Sequence, residues 1–184
     1  MKIEDYIVVF DDALTPQFCD DMVALFEKEK DRVVRNNDLM KFSEINILTC
    51  NAFDAVKSEF IEKMVKCQLA YKNQVKAYIW PEKPLYEAPR IKKYEKEKGF
   101  FDWHVDAADV DTSKRLLVMF WYLNDVESGG ETLFVVNEEI LRVAPKKGRV
   151  VCFPPNFMFP HKGAVPHSGP KYVISSYVQH VANE

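Results

Sequence analysis

The segment 114–124 is apolar on both faces of an extended chain. Side chains alternate sides along a strand. One face therefore carries Leu116, Val118, Phe120 and Tyr122, and the other Leu117, Met119, Trp121 and Leu123. A strand with that pattern needs cover on both sides. It belongs near the middle of a sheet with one layer above and one below, and it excludes a solvent-facing ribbon.

The sequence supplies those layers in order. Residues 4–10 read as a short strand, with Tyr6, Val8 and Phe10 alternating. Thr15-Pro16 reads as an N-cap followed by proline at the first helical position. Phe18, Met22 and Leu25 give that helix one apolar face. Residues 34–51 are mixed, with Asn36-Asn37-Asp38 marking a turn. A second helix is expected from about residue 54 to 76, with Phe60, Met64, Cys67, Tyr71 and Val75 as a core stripe at helical spacing. From residue 78 onward Pro81, Pro84 and Pro89 cut the chain into short extended pieces. Strands are expected near 131–136, 140–143, 148–153 and 171–180. The expected architecture is α+β, a single domain of 184 residues. Residues 1–77 form a helical support region, and residues 78–184 a double-sheet, jelly-roll core. Periodicity alone gives helices followed by β-structure.

Composition narrows the partners. The formal net charge of −3 and pI near 5.9 provide no overall basic field for nucleic acid. The run Lys92 to Lys98 mixes both signs and reads as a solvated edge. No apolar run approaches a membrane-spanning length. Cys19, Cys50, Cys67 and Cys152 show no paired metal-site spacing. Together with a polar N-terminus, they point to reduced thiols in a cytoplasmic setting.

The chemistry-bearing residues are few. His104 and Asp106 stand two apart and would share one face of a strand. A distant His161 would complete a three-ligand face, and two histidines plus one carboxylate is the donor set of non-haem Fe(II) sites. His-x-Asp alone arises often by chance; the order and company of the other residues carry the weight. His167 and His180 compete with His161 for the third position. A closed structural zinc site would ask for four ligands, yet no cysteine lies near His104 or His161 in sequence. Lys171 opens a strand whose face Lys171, Val173, Ser175 and Tyr177 would look inward, with Tyr172, Ile174 and Val178 outward. Its ammonium would hold an acidic co-substrate. Tyr122, on the equivalent face of the earlier strand, would add its hydroxyl.

From Tyr94 to Tyr177 the ordered set resembles the Fe(II)- and 2-oxoglutarate-dependent dioxygenases of the prolyl-4-hydroxylase-like branch. The set comprises Tyr94 ten residues before His104, Arg115, Gly129-Gly130-Glu131-Thr132, His161, and Gly169-x-Lys171-Tyr172-x-Ile174. The resemblance implies a double-stranded β-helix, with His104, Asp106 and His161 as iron ligands. His161 has the family's spacing to the glycine and lysine; His167 does not. Lys171, Tyr122 and Tyr94 are the expected 2-oxoglutarate contacts. The implied reaction consumes dioxygen and 2-oxoglutarate and releases succinate and carbon dioxide, with ascorbate as a reductant. The implied substrate is a prolyl residue of a peptide or protein, met by Arg115, by Phe101 where the family has tyrosine, and by Tyr177 where it has tryptophan. Those two departures leave room for a free amino acid, another small molecule or a modified base. A non-catalytic jelly-roll binding module is the reading of a different class. Arg115 has a purely structural alternative, as an ion-pair partner of Asp109 or Asp111. Segments 34–50 and 107–113 are polar and are expected to flank the mouth as lids.

Overall fold

The computed structural model describes residues 2–180. Eleven strands form one strongly curled antiparallel sheet, and two helices cover part of its outside. Helix α1 (Pro16–Lys28) starts as expected: Thr15 Oγ1 accepts the Phe18 N–H at 3.2 Å, and Pro16 needs no partner at the first position. Its buried stripe is Phe18, Cys19, Met22 and Phe26, so Phe26 and not Leu25 faces fully inward. Helix α2 (Asp54–Gln74) buries Phe60, Met64, Cys67, Gln68 and Tyr71.

The strands are β1 (Val8–Phe10), β2 (Val33–Asn36), β3 (Met40–Asn46), β4 (Leu85–Tyr94), β5 (Phe100–His104), β6 (Arg115–Tyr122), β7 (Thr132–Val136), β8 (Glu139–Val143), β9 (Val150–Phe153), β10 (His161–Gly163) and β11 (Lys171–Gln179). They run in the order β1-β9-β6-β11-β4-β3-β5-β10-β7-β8, with β2 paired to β3 alone. Curling that order closes a double-stranded β-helix. The N-terminal stretch differs from expectation. Ile3–Tyr6 is a turn of 3-10 helix, and only Val8–Phe10 is strand. The first 77 residues add three strands to the sheet besides the two helices. Residues 40–46, expected within a lid, are an interior strand hydrogen-bonded to both β4 and β5. Pairing on both sides fixes that backbone.

Strand β6 is the doubly covered strand. Leu117, Met119, Trp121 and Leu123 pack with the helices, as do Ile45, Ile91, Cys152, Ile174 and Val178. Val118 and Tyr122 face the barrel interior with Phe134, Val151, Phe153, Val173 and Tyr177. Side chains of this size contribute about 1.5–3 kcal/mol each on full burial. Trp121 is wholly buried and meets its one polar need by donating Nε1–H to Ser176 Oγ at 3.0 Å.

Leu116 leaves the expected face and packs on the helical side. The reason is a bulge. Gln179 pairs with Arg115 while Val178 pairs with Leu117, so Leu116 is an extra residue in β6. A second irregularity lies in β4, where Ser175 pairs with Arg90 but Tyr177 with Glu87. An extra residue flips the side-chain alternation beyond it. The two bulges turn Arg115 and Glu87 onto the same inner face.

Candidate active site

Strand pairing assembles the cluster. His161 on β10 lies directly opposite His104 at the end of β5. Strand β5 stops at His104, and the chain bends so that Asp106 turns back between the two imidazoles. Three contacts pin that bend. Arg115 Nη1–H donates to the Asp106 carbonyl at 2.6 Å, the Ala107 N–H to the Pro155 carbonyl at 2.9 Å, and the Tyr177 hydroxyl to Asp106 Oδ1 at 3.3 Å.

One ligand atom from each of His104, Asp106 and His161 lies within 4.8 Å of the others. The Asp106 Oδ2 to His161 Nε2 distance is 3.3 Å, and Asp106 Oδ1 to His104 Nε2 is 3.7 Å. His104 Nδ1 is held by the Asp102 carbonyl at 2.7 Å and His161 Nδ1 by the Phe159 carbonyl at 3.1 Å. A carbonyl only accepts, so both Nδ1 atoms carry the proton and both Nε2 lone pairs face the cluster. His104 Nε2, Asp106 Oδ2 and His161 Nε2 are buried without a hydrogen-bond partner. Such orphaned atoms are costly unless something binds them. Their convergence fits a divalent cation with N and O ligands and open positions.

The surroundings tune the donors. Phe101 stacks on the His104 ring at 3.5 Å, and Phe120, Phe134 and Phe153 enclose His161. Burial, with repulsion from His161, lowers His104 to about 4, which keeps it neutral and ready to ligate. Burial would raise Asp106, but the two imidazoles when protonated, together with the Lys92 ammonium, outweigh it and hold the carboxyl well below the usual range.

A second centre lies deeper in the same cavity, which Lys92, Tyr94, Phe101, His104, Phe120, Thr132, His161 and Lys171 help to line. Lys171 is 2% exposed, and its ammonium donates to the Gly130 carbonyl at 2.9 Å above the Tyr94 ring. Burial lowers it to about 7. The Gly-Gly-Glu-Thr run explains itself here. Gly129 holds φ +72, and a Cβ there would meet the Val165 carbonyl at 2.2 Å; the turn it permits delivers Gly130 to Lys171 and Thr132 to the cavity wall. Tyr122 stands one layer behind: its hydroxyl meets Thr132 Oγ1 at 2.6 Å.

His167 is exposed on a loop, bonded to Glu97, and His180 is exposed as well. Neither belongs to the cluster. Arg115 forms a two-pronged ion pair, but with Glu87 at 2.7 and 2.8 Å rather than with Asp109 or Asp111. Asp109 is taken up by Thr112 within its own turn. Sequence reasoning missed Thr132, Glu87 and Lys92. Lys92 was legible as the residue two before Tyr94 on the same strand face; Glu87 was hidden by the bulge.

Fold and cluster together define a double-stranded β-helix carrying a two-histidine, one-carboxylate site. Residues 89–179 match the family model of the 2OG-Fe(II) oxygenase superfamily. The matched family implies Fe(II) and 2-oxoglutarate, and the donor set fits the metal. Three solved structures share the fold. A Pseudomonas putida prolyl-4-hydroxylase superposes with TM-score 0.75 at 15% identity, over 96% of this chain and 94% of that one. The viral collagen prolyl hydroxylase of Paramecium Bursaria Chlorella virus-1, as a 2OG complex, gives 0.69 at 22% identity, over 96% and 97%. A Trichoplax adhaerens prolyl hydroxylase in complex with a hypoxia inducible factor peptide fragment gives 0.74 at 13%, over 95% and 84%. No curated protein sequence matches the chain.

Proposed function

We propose that this protein is an Fe(II)- and 2-oxoglutarate-dependent hydroxylase acting on prolyl residues of a peptide or protein. The observation that carries the reading is the convergence of three orphaned, buried ligand atoms beside a cavity that His104 and His161 line together with a buried lysine. His104, Asp106 and His161 would hold the iron. Lys171 would hold the distal carboxylate of 2-oxoglutarate, with Tyr94 beneath its ammonium and Thr132 beside it. Tyr122 would orient Thr132 from behind. When bound, iron and 2-oxoglutarate supply the oxidising chemistry, with dioxygen consumed and succinate and carbon dioxide released.

The chain's own residues do the rest. The carbonyls of Asp102 and Phe159 fix the imidazole tautomers. The phenyl rings around His161 exclude water, which strengthens every charge interaction inside. Arg115 has all three nitrogens engaged, two groups by Glu87 and one by the Asp106 carbonyl. In this reading it positions Asp106, and Phe101 and Tyr177 form the aromatic walls that meet the substrate. The prolyl assignment is supported by the three neighbours in fold described above, which are prolyl hydroxylases, one of them with a peptide bound. Four free cysteines support a reducing, cytoplasmic setting. Among the described residues no helix is long and apolar enough to cross a membrane.

The test is incubation with Fe(II), 2-oxoglutarate and ascorbate. One arm contains proline-bearing peptides and the other free amino acids. A gain of one oxygen on peptidyl proline, with matching succinate, is the expected result. Oxidation confined to a free amino acid would replace the peptide reading.

A further inference from the structure

Lys92 is 8% exposed and lines the same cavity as His104, His161 and Lys171. Among the described residues its ammonium has neither a hydrogen bond nor an ion pair. Its neighbours are ring faces, Phe42 at 5.0 Å and Phe101 at 6.0 Å from the centroids. Glu44, directly across on β3, is claimed by Arg35 at 2.9 and 3.0 Å. A buried cation without an anionic partner is strongly disfavoured. Burial indeed depresses its basicity, against the pull of Glu44 and Asp106. A residue so placed would gain from an anion in direct contact, which neither Glu44 nor Asp106 supplies.

Register locates that anion. Tyr94 pairs with Lys171, and Lys92 with Val173, one step nearer the Tyr177–Glu87 end of the same two strands. A two-residue step along a strand is roughly 6.5–7 Å. Two ammoniums therefore point into one cavity from adjacent levels. Lys171 occupies the level farther from Tyr177, whose hydroxyl reaches Asp106, and Lys92 the level nearer to it. A five-carbon diacid carries its two carboxylates at about that separation on the same scale of extended chain length.

We propose that Lys92 is a second anchor for the co-substrate, holding the carboxylate next to the keto group while Lys171 holds the distal one. The proposal rests on the 2-oxoglutarate reading of the cavity and adds a positioning residue to it. Lys92 acts on orientation: with both ends of the dianion fixed, the keto group has one position relative to His104 and His161. The anion in turn stabilises the charged form of Lys92.

The test is calorimetric binding to the Mn(II)-loaded protein in the absence of turnover. The probes are 2-oxoglutarate and 2-oxopentanoate, which lacks the distal carboxylate. Lys92→Met should weaken both by about tenfold or more, the scale of one lost charged hydrogen bond. Lys171→Met should weaken 2-oxoglutarate but leave 2-oxopentanoate unchanged. Lys92→Met should fold, since it replaces a buried unpaired ammonium by an apolar chain of similar length; thermal unfolding checks this. Lys92→Gln serves as the second variant. 2-Oxoglutarate affinity within twofold of wild type in both Lys92 variants overturns the anchor and leaves the oxygenase reading standing. So does a Lys92→Met that weakens 2-oxoglutarate alone, which moves Lys92 to the distal end. A wild-type protein that binds neither keto acid overturns both readings.

Discussion

The Tyr177 hydroxyl donates to Oδ1 of Asp106 at 3.3 Å, which leaves Oδ2 to face His161. The tyrosine thereby chooses which carboxylate oxygen is presented to a metal. Arg115 lies 3.9 Å over the same tyrosine ring and holds the Asp106 carbonyl. Loss of an outer partner of a metal ligand typically costs 10–100-fold in metal affinity, so Tyr177→Phe should show about that loss by Mn(II) titration. Tyr177→Trp removes the same hydroxyl and enlarges a side chain that is already 5% exposed against Arg115. It should weaken the metal site rather than restore a better substrate wall. Wild-type Mn(II) affinity in Tyr177→Phe would show that the backbone bend alone orients Asp106.

The three proposed ligands give a sharper contrast. His104→Ala, Asp106→Ala and His161→Ala should each abolish Fe(II) binding and succinate production while circular dichroism stays native. His167→Ala should retain both, because its ring is exposed and bonded to Glu97. Metal should also stabilise the fold, since it binds the native state alone. Added Mn(II) should raise the melting temperature of wild type and of His167→Ala, and leave the other three unchanged. A melting shift in His161→Ala equal to wild type would remove His161 from the ligand set.

Lys171 predicts opposite pH dependences for stability and for binding. Burial depresses the lysine to about 7 in the folded protein from its ordinary 10.5. Between those two values the unfolded chain holds more protons, so stability of the ligand-free protein rises with pH across this window. Below about 7 both states are protonated and the burial cost is fully present. In the proposed role the charged ammonium holds the distal carboxylate, so 2-oxoglutarate affinity should fall as pH rises past about 7. Binding at pH 8 should take up roughly one proton, read from calorimetry in buffers of different ionisation enthalpy. Lys171→Ala should lower the uptake by roughly one proton and weaken binding more than about a hundredfold, near 3 kcal/mol. Proton uptake unchanged in Lys171→Ala would place the titrating group elsewhere.

What the sequence disclosed follows from which interactions are local. The helix start at Thr15-Pro16 and the inward face of Lys171, Val173 and Tyr177 depend on near neighbours and on a period of two, and both stand in the structure. The closeness of His104 and His161 is a cross-strand pairing over 57 residues of sequence, and nothing local encodes it. The resemblance supplied it. The bulges at Leu116 and in β4 were invisible because an unpaired residue leaves no mark on an apolar run. They misplaced Leu116 and concealed Glu87 as the partner of Arg115. Residues 40–46 looked polar enough for a loop, yet their alternate residues Phe42 and Glu44 line the interior while Ile45 packs outward.

The Arg115–Glu87 pair yields the last prediction. Both side chains are mostly buried, 15% and 19% exposed, and Gln179 Nε2 adds a donor to Glu87 at 2.9 Å. Burial alone would raise the Glu87 carboxyl, but Arg115 and then Arg90 outweigh it and hold it ionised. Arg115→Ala leaves that carboxylate with too few partners and frees the Asp106 carbonyl. It should destabilise the protein by about 2–4 kcal/mol, somewhat below the range for breaking a fully buried pair. Glu87→Gln keeps the shape, loses the charge and should cost less. Because the two residues share one set of hydrogen bonds, the double variant should be more stable than the summed losses imply, by about 1–2 kcal/mol in urea unfolding. Additive losses would mean that Arg115 acts through Asp106 and Tyr177 alone. If instead Arg115 were a peptide contact of no structural weight, Arg115→Ala would unfold like wild type and fail only in peptide binding. The combination of a stability loss, a weakened metal site and positive coupling to Glu87 is what distinguishes a positioning arginine from a substrate-binding one.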